Sequence, residues 1–262
     1  MELGLCIEMA LSDLPFEDRL AKAGEIGFRN VEMWFVDGSY RGTPGDLARL
    51  AERSGVKITN TVIGSPDGSD GGGLTDPAGR RQWLARARMT IDFTKEARIP
   101  ATIVCTGNEV DGLSDAQMMQ SVLEGLKPTL EMAEQAGVTL LLEPLNTRYD
   151  HPGYWLTSSD RGAEICRRLR SPRMELLFDC YHMQIMEGDL VGHIERNIDV
   201  IGHFHAAGVP GRHEPYIGEI RYRFVIRQIE RLGYEGVFGL EYQPSIDHEQ
   251  SLTETLKHLT RR

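Results

Sequence analysis

Apolar residues in this chain fall into short, nearly continuous runs separated by longer stretches of helical periodicity. The runs are Leu3–Ile7, Asn30–Met33, Lys57–Ile63, Ala101–Cys105, Val138–Leu142, Met174–Phe178, Val200–His205 and Val237–Leu240. Each is rich in Val, Ile, Leu or Phe and lacks strict polar alternation, as expected of strands covered on both faces. The intervening stretches, roughly 15–27, 43–54, 77–97, 114–136, 158–169, 187–196, 221–232 and 249–261, predict helices. Asp76-Pro77 and Ser114-Asp115 supply N-terminal caps, and Gly27, Gly137 and Gly233 stand where left-handed C-terminal caps need glycine. Strand–helix pairs repeated in this order predict one closed parallel α/β structure, a single (β/α)8 TIM barrel spanning residues 1–262 as one domain.

The glycine-rich stretch Ser65-Pro66-Asp67-Gly68-Ser69-Asp70-Gly71-Gly72-Gly73 breaks the rhythm. It lacks the Lys-Ser/Thr of a phosphate-binding P-loop and the spacing of a dinucleotide fingerprint. It reads as a flexible loop at the barrel mouth, with a lid over a small polar substrate as the functional alternative.

Composition narrows the partners. The formal charge of −10 opposes recognition of a nucleic-acid backbone. No apolar stretch approaches the ~18 residues of a membrane helix, and the amino terminus lacks the basic start of a signal peptide. Cys6, Cys105, Cys166 and Cys180 are scattered without metal or disulfide spacing, so reduced, buried thiols and a cytoplasmic location are expected.

The chemistry lies at the strand ends. Four successive strands in the second half terminate at Glu143, Asp179, His205 and Glu241. In a parallel barrel these ends surround one mouth, so the four side chains can converge on a single ion. Three carboxylates and an imidazole form a mainly oxygen-donor site suited to Mg²⁺ or Mn²⁺. A lone polar residue at a strand end would be an ordinary rim residue; four neighbours are harder to dismiss. His203 shares the face of His205 one layer deeper and reads as a buried histidine supporting that layer, with itself or a backbone carbonyl as the partner of the His205 ring. His182, Asn146 and Gln243 follow closely after the ligand positions, and Arg212 and His213 occupy a non-helical loop after the seventh strand. Arg212 suits a planar anion; the plain alternative is an ion pair with Glu214.

The run G-H-F-H-A-A-G-V-P-G-R-H-E-P-Y-I-G-E-I (202–220), followed by L-G-Y-E-G-V-F-G-L-E-Y-Q-P (232–244), resembles the hydroxypyruvate isomerase family of xylose-isomerase-like TIM barrels. The likeness extends to L-L-E-P-L-N (141–146), H-P-G-Y (151–154), F-D-C-Y-H-M-Q-I-M-E-G-D-L (178–190) and D-G-S-D-G-G-G-L-T-D-P (67–77). The resemblance implies a divalent metal held by Glu143, Asp179, residue 205 and Glu241. It also implies catalysis by Glu143 and Glu241, which move a substrate proton, and a hydroxy-keto acid or oxo-tetronate substrate. One residue departs: the acid isomerases tend to have glutamine at the place of His205, whereas histidine is similar to the ketose 3-epimerases and sugar isomerases.

The expected mechanism is proton abstraction beside a metal-polarised carbonyl, through a cis-enediolate, with Glu143 or Glu241 as base. Returning the proton to the adjacent carbon is isomerisation; returning it to the same carbon from the other face is epimerisation. His182, Arg212, His213 and Asn146 are the expected substrate contacts. The expected partner is a small hydroxy-keto acid or ketose, without nucleic acid or membrane, and a homo-oligomer is compatible. An apurinic-site endonuclease would need a histidine-rich zinc cluster and a basic surface, which eight histidines and the net charge do not favour. A non-catalytic sugar-binding barrel would make the four ligands a coincidence.

Overall fold

A computed structural model describes residues 1–260. Its strands are β1 (Glu2–Cys6), β2 (Asn30–Glu32), β3 (Lys57–Ile58), β4 (Asn60–Ile63), β5 (Ala101–Val104), β6 (Thr139–Leu142), β7 (Met174–Asp179), β8 (Ile201–Ala206) and β9 (Val237–Leu240). Around them lie α1 (Phe16–Ile26), α2 (Pro44–Arg53), α3 (Arg80–Glu96), α4 (Asp115–Ala136), α5 (Ser159–Leu169), α6 (Cys180–Met186), α7 (Leu190–Asn197), α8 (Tyr222–Arg231) and α9 (His248–Thr260). Every strand pair is parallel, in the order β3-β2-β1-β9-β8-β7-β6-β5-β4.

The two ends of that order belong to one extended run. The predicted strand Lys57–Ile63 breaks at Thr59, whose amide and hydroxyl both donate to the Val31 carbonyl, at 2.9 and 3.1 Å. Its first half pairs with β2 and its second with β5. Met33 N–H to Asn60 carbonyl and Val62 N–H to Trp34 carbonyl, 3.3 and 3.0 Å, carry the ladder across the break. The predicted α/β barrel is therefore the observed one.

Register decides what faces inward. Phe178, Phe204 and Phe238 stand opposite one another, as do Asp179, His205 and Gly239. The phenylalanine rings follow one another at 6.0 Å, Phe178 and Phe204 tilted and Phe204 and Phe238 stacked, within the apolar layer shared with the helices. Strand alternation then turns the second set into the barrel. A register shift at Leu176/Leu177 makes this match, since Leu176 pairs with Ile201 but Leu177 with His203. Without the skipped Gly202, Asp179 would lie opposite Phe204. Glycine suits that place because a Cβ there would lie 1.8 Å from the Glu175 carboxylate.

The helix signals mostly hold. Asp76 caps a 3₁₀ turn at Pro77–Gly79 leading into α3, Ser114 forms a capping box with Gln117 on α4, and Gly27 and Gly137 close α1 and α4 in left-handed geometry. One helix lies outside the expected stretches: 180–186 forms α6. Asp179 initiates it by accepting from Tyr181 N–H and His182 N–H, at 2.6 and 3.2 Å. The helix expected at 187–196 accordingly begins at Leu190. All four cysteines are free and buried, as expected. The glycine-rich loop is not slack: Asp67 accepts from Ser65 and Ser69, and Arg86 joins Asp70 (2.9 Å) to Asp37 (2.6 Å). No helix among the described residues is long and apolar enough to cross a membrane.

Candidate active site

The four strand-end residues meet. Glu143, Asp179, His205 and Glu241 are all buried, and each offers a ligand atom within 4.8 Å of the others. Backbone hydrogen bonds from Glu143 N–H to the Val104 carbonyl and from Glu241 N–H to the Ala206 carbonyl, both 3.1 Å, hold the glutamates at the ends of their strands. Asp179 spends Oδ1 on the first turn of α6, while Oδ2 lies 3.6 Å from His182 Nε2. His205 directs Nδ1 between the glutamates, 3.5 Å from Glu143 Oε1 and 3.6 Å from Glu241 Oε2.

The two glutamates are held differently. Glu241 accepts Trp34 Nε1–H on Oε1 at 2.9 Å and Arg212 Nη2–H on Oε2 at 2.5 Å. Glu143 Oε1 is buried without a hydrogen-bond partner. Burial raises the Glu143 carboxyl above its usual range. Burial opposes ionisation of Glu241 as well, but the Arg212 guanidinium, His205 and the Trp34 indole hold it below that range. Burial pushes Asp179 up to about 7. For His205 burial works the other way, yet Glu32 and Glu241 keep its pKa well above that of a free imidazole.

Beside the carboxylates sits a wall of N–H donors. The Asn146 backbone N–H and side-chain amide both face His182 Nδ1, at 3.2 and 2.7 Å. With Nδ1 accepting, Nε2 carries the proton, and it is buried without a hydrogen-bond partner, 3.6 Å from Asp179 Oδ2. Burial and the Arg212 charge lower the His182 pKa well below the ordinary imidazole value, so the ring is neutral. Arg212 lies 3.6 Å from Asp150 and over the Tyr181 ring at 5.4 Å, with its Nε also buried and unpartnered. Its backbone is left-handed, φ 57°, in a tight loop closed by Arg212 N–H to the Gly208 carbonyl and Gln243 N–H to the Arg212 carbonyl.

Of the expected substrate contacts, Arg212 and His182 border the cluster. Asn146 stands behind His182, and its amide also donates to Asp150 at 2.6 Å. His213 turns Nδ1 to the Gln243 carbonyl at 2.9 Å. The alternative Arg212–Glu214 ion pair is absent among the described residues. Glu214 instead accepts from the Ser245 amide and hydroxyl and from the Ser251 hydroxyl. The expected partners of the His205 ring are corrected too. Its Nε2 lies 2.8 Å from Glu32 Oε2, while His203 Nε2 lies 2.8 Å from Oε1 of the same carboxylate.

Glu32, Trp34 and Asp150 had not been singled out in the sequence. Glu32 ends β2 in the structure, but the apolar run Asn30–Met33 read from the sequence places it inside the strand. Trp34 and Asp150 sit in irregular segments and carry no periodic signal. A groove of about 1200 Å³ lined by Glu2, Asn30, Lys57 and Pro100 lies at the N-terminal ends of the strands, away from this chemistry.

Residues 20–262 match the family described as xylose isomerase-like TIM barrel. The chain belongs to that family. Among its curated relatives is a 2-oxo-tetronate isomerase of Cupriavidus necator, 32% identical over 240 residues covering 91% of each chain. A hydroxypyruvate isomerase of Escherichia coli is 28% identical over 250 residues, covering 94% of this chain and 95% of its own. A solved structure from Brucella melitensis described as AP endonuclease, family 2, superposes with TM-score 0.89 at 26% identity, covering 98% of this chain and 99% of that one. This family membership bears out the resemblance drawn from 67–77, 141–146, 151–154, 178–190, 202–220 and 232–244.

Proposed function

We propose that this family member is a divalent-metal-dependent isomerase of a short hydroxy-keto acid, related to hydroxypyruvate and oxo-tetronate. The observation that carries the reading is the convergence of Glu143, Asp179, His205 and Glu241 beside the unpartnered N–H groups of Arg212 and His182. The relatives named as isomerases of such acids support it. So does the acidic chain, whose charge of −10 suits a small molecule better than a phosphate backbone.

The residues fit a metal ion. Two buried atoms that face each other at 3.5 Å, Glu143 Oε1 and His205 Nδ1, lack a hydrogen-bond partner, and buried polar atoms are normally satisfied. Carboxylate oxygens with one imidazole suit Mg²⁺ or Mn²⁺. Such an ion would act as a Lewis acid toward a substrate carbonyl oxygen.

The protein's own groups do the rest. Glu143, whose carboxylate is not fixed by an indole and a guanidinium as that of Glu241 is, removes the proton from the carbon next to the carbonyl, giving the enediolate of the substrate. Its buried setting moves its basicity toward neutral pH, where general bases are most effective. Glu241, fixed by Trp34 and Arg212, lines the other side and serves the return of the proton. Arg212 and the neutral His182 Nε2–H take the oxygens of the acid end. Their burial keeps water from competing for these bonds.

Incubating hydroxypyruvate, oxo-tetronates, tetruloses and ketohexoses with the Mn²⁺- or Mg²⁺-loaded protein in D₂O tests this directly. Deuterium is expected in the short acids. No incorporation into any of them would refute the reading, and incorporation confined to ketoses at C3 would replace it with 3-epimerisation.

Metal binding is expected to weaken as pH falls. The Asp179 carboxyl, pushed up to about 7 by burial, is protonated below that pH and must release its proton to ligate. The raised Glu143 adds to the same trend. His205, held well above the free imidazole value, must likewise give up a proton to ligate, so apparent Mn²⁺ affinity should climb through neutral pH and continue to rise above it, with proton release visible by calorimetry in buffers of different ionisation enthalpy. A flat profile from pH 6 to 8 would contradict this.

A further inference from the structure

We propose that Glu32 is the positioning residue of the metal centre, fixing which nitrogen of His205 faces the ion. The inference rests on the metal reading of the four-residue cluster and adds a residue from the opposite side of the barrel. Glu32 ends β2, is 1% exposed, and directs its two oxygens to two histidines: Oε1 to His203 Nε2 and Oε2 to His205 Nε2, each at 2.8 Å.

An imidazole ligates a metal through a nitrogen lone pair, and its other nitrogen then carries the proton. In His205 the nitrogen that faces Glu143 and Glu241 is Nδ1, and it has no hydrogen-bond partner. A carboxylate at Nε2 keeps the proton there and stops the ring from turning over, so Nδ1 stays aimed between the glutamates. Without that acceptor, the ring could carry its proton on Nδ1 or rotate it out of reach. His203 plays the complementary part. Its N–H occupies Oε1 and leaves Oε2 to His205, and the two rings meet edge to face at 5.1 Å.

The barrel interior is built around this arrangement. A Cβ on Gly239 would lie 2.4 Å from Glu32 Oε1 and 2.7 Å from His205 Cδ2, and one on Gly4 would lie 3.2 Å from Glu32 Oε1. Gly239 thus gives up a side chain where the carboxylate and ring meet, while Gly4 is bare against Val237, at 2.8 Å from such a Cβ, as well as against Glu32. The same three residues, Glu32, His203 and His205, could instead hold a second ion. The positioning reading predicts one ion per chain, because both imidazole Nε2 atoms would keep their protons for Glu32.

Mn²⁺ titration of the wild type and of Glu32→Gln separates the outcomes. Glutamine keeps the shape but has a single acceptor oxygen for two N–H donors, so affinity should fall about 10- to 100-fold with stoichiometry unchanged. Long-range ¹H–¹⁵N correlation of the Mg²⁺-loaded wild type should show His205 protonated at Nε2. That measurement decides the matter even where the variant fails to fold. Equal Mn²⁺ affinity in Glu32→Gln, coordination through Nε2, or two ions per wild-type chain would each overturn the inference while leaving the metal reading intact. A wild type that binds no Mn²⁺ would overturn the metal reading and this inference together.

Discussion

Glu143→Gln is expected to lower turnover about 10²- to 10⁴-fold, the range for removing a general base, while retaining metal. The amide keeps one oxygen toward the cluster, and Glu143 Oε1 has no hydrogen bond for it to break. Exchange of substrate hydrogen with solvent should fall with turnover, because both need the same proton abstraction. Glu241→Gln should also lose most turnover, but by a partly different route. Glu241 accepts from Trp34 on one oxygen and from Arg212 on the other. An amide has one acceptor oxygen, so its NH₂ must face either the indole N–H or the guanidinium. Metal affinity should therefore drop further in Glu241→Gln than in Glu143→Gln, and calorimetric Mn²⁺ titration of both variants measures the difference. Wild-type rates of hydrogen exchange in Glu143→Gln would remove it as the base.

How much of this was legible in the sequence depends on what kind of contact each residue makes. Glu143, Asp179, His205 and Glu241 could be found because each ends an apolar run, and strand periodicity alone carries such a residue to the barrel mouth. Glu32 ends β2 in the structure, but the apolar run is read from the sequence as Asn30–Met33, which places Glu32 inside the strand and not at its end. Trp34 and Asp150 act through pairings with Glu241, Arg212 and Asn146 across large sequence separations, which no local pattern encodes. The break at Thr59 and the slip at Gly202 were likewise invisible, since both depend on which strand lies alongside. Helix α6 was missed because its N-terminal cap is Asp179, a residue already accounted for by its place at a strand end.

Glu32 also bears on the histidine that departs from the acid isomerases. A glutamine at 205 could donate its amide N–H to Glu32 and present its carbonyl oxygen to the cluster, as His205 donates at Nε2 and presents Nδ1. Either residue fits the same support, so His205 does not by itself exclude an acid substrate. The discriminating group is Arg212.

Arg212→Ala should raise KM for short keto acids about 10- to 100-fold, the equivalent of losing a hydrogen-bonded charge pair of about 1.5–3 kcal/mol, and leave KM for neutral ketoses far less changed. The guanidinium is mostly buried, and its Nε–H, like the His182 Nε2–H, lacks a hydrogen-bond partner, so an acid would meet two donors that water does not saturate. Its present neighbours, Glu241 and Asp150, are themselves anionic. Removing Arg212 also removes a positive charge next to the proposed metal ligands, so Mn²⁺ affinity should hold or rise. A higher KM at saturating metal then reports the substrate and not the ion. Lysine should rescue poorly, because a point charge lacks the planar fork that can keep Glu241 and accept a second carboxylate at once. Activity on neutral ketoses that exceeds activity on acids, and does not respond to loss of Arg212, would move the assignment from acid isomerase to ketose 3-epimerase with the same base and the same metal ligands.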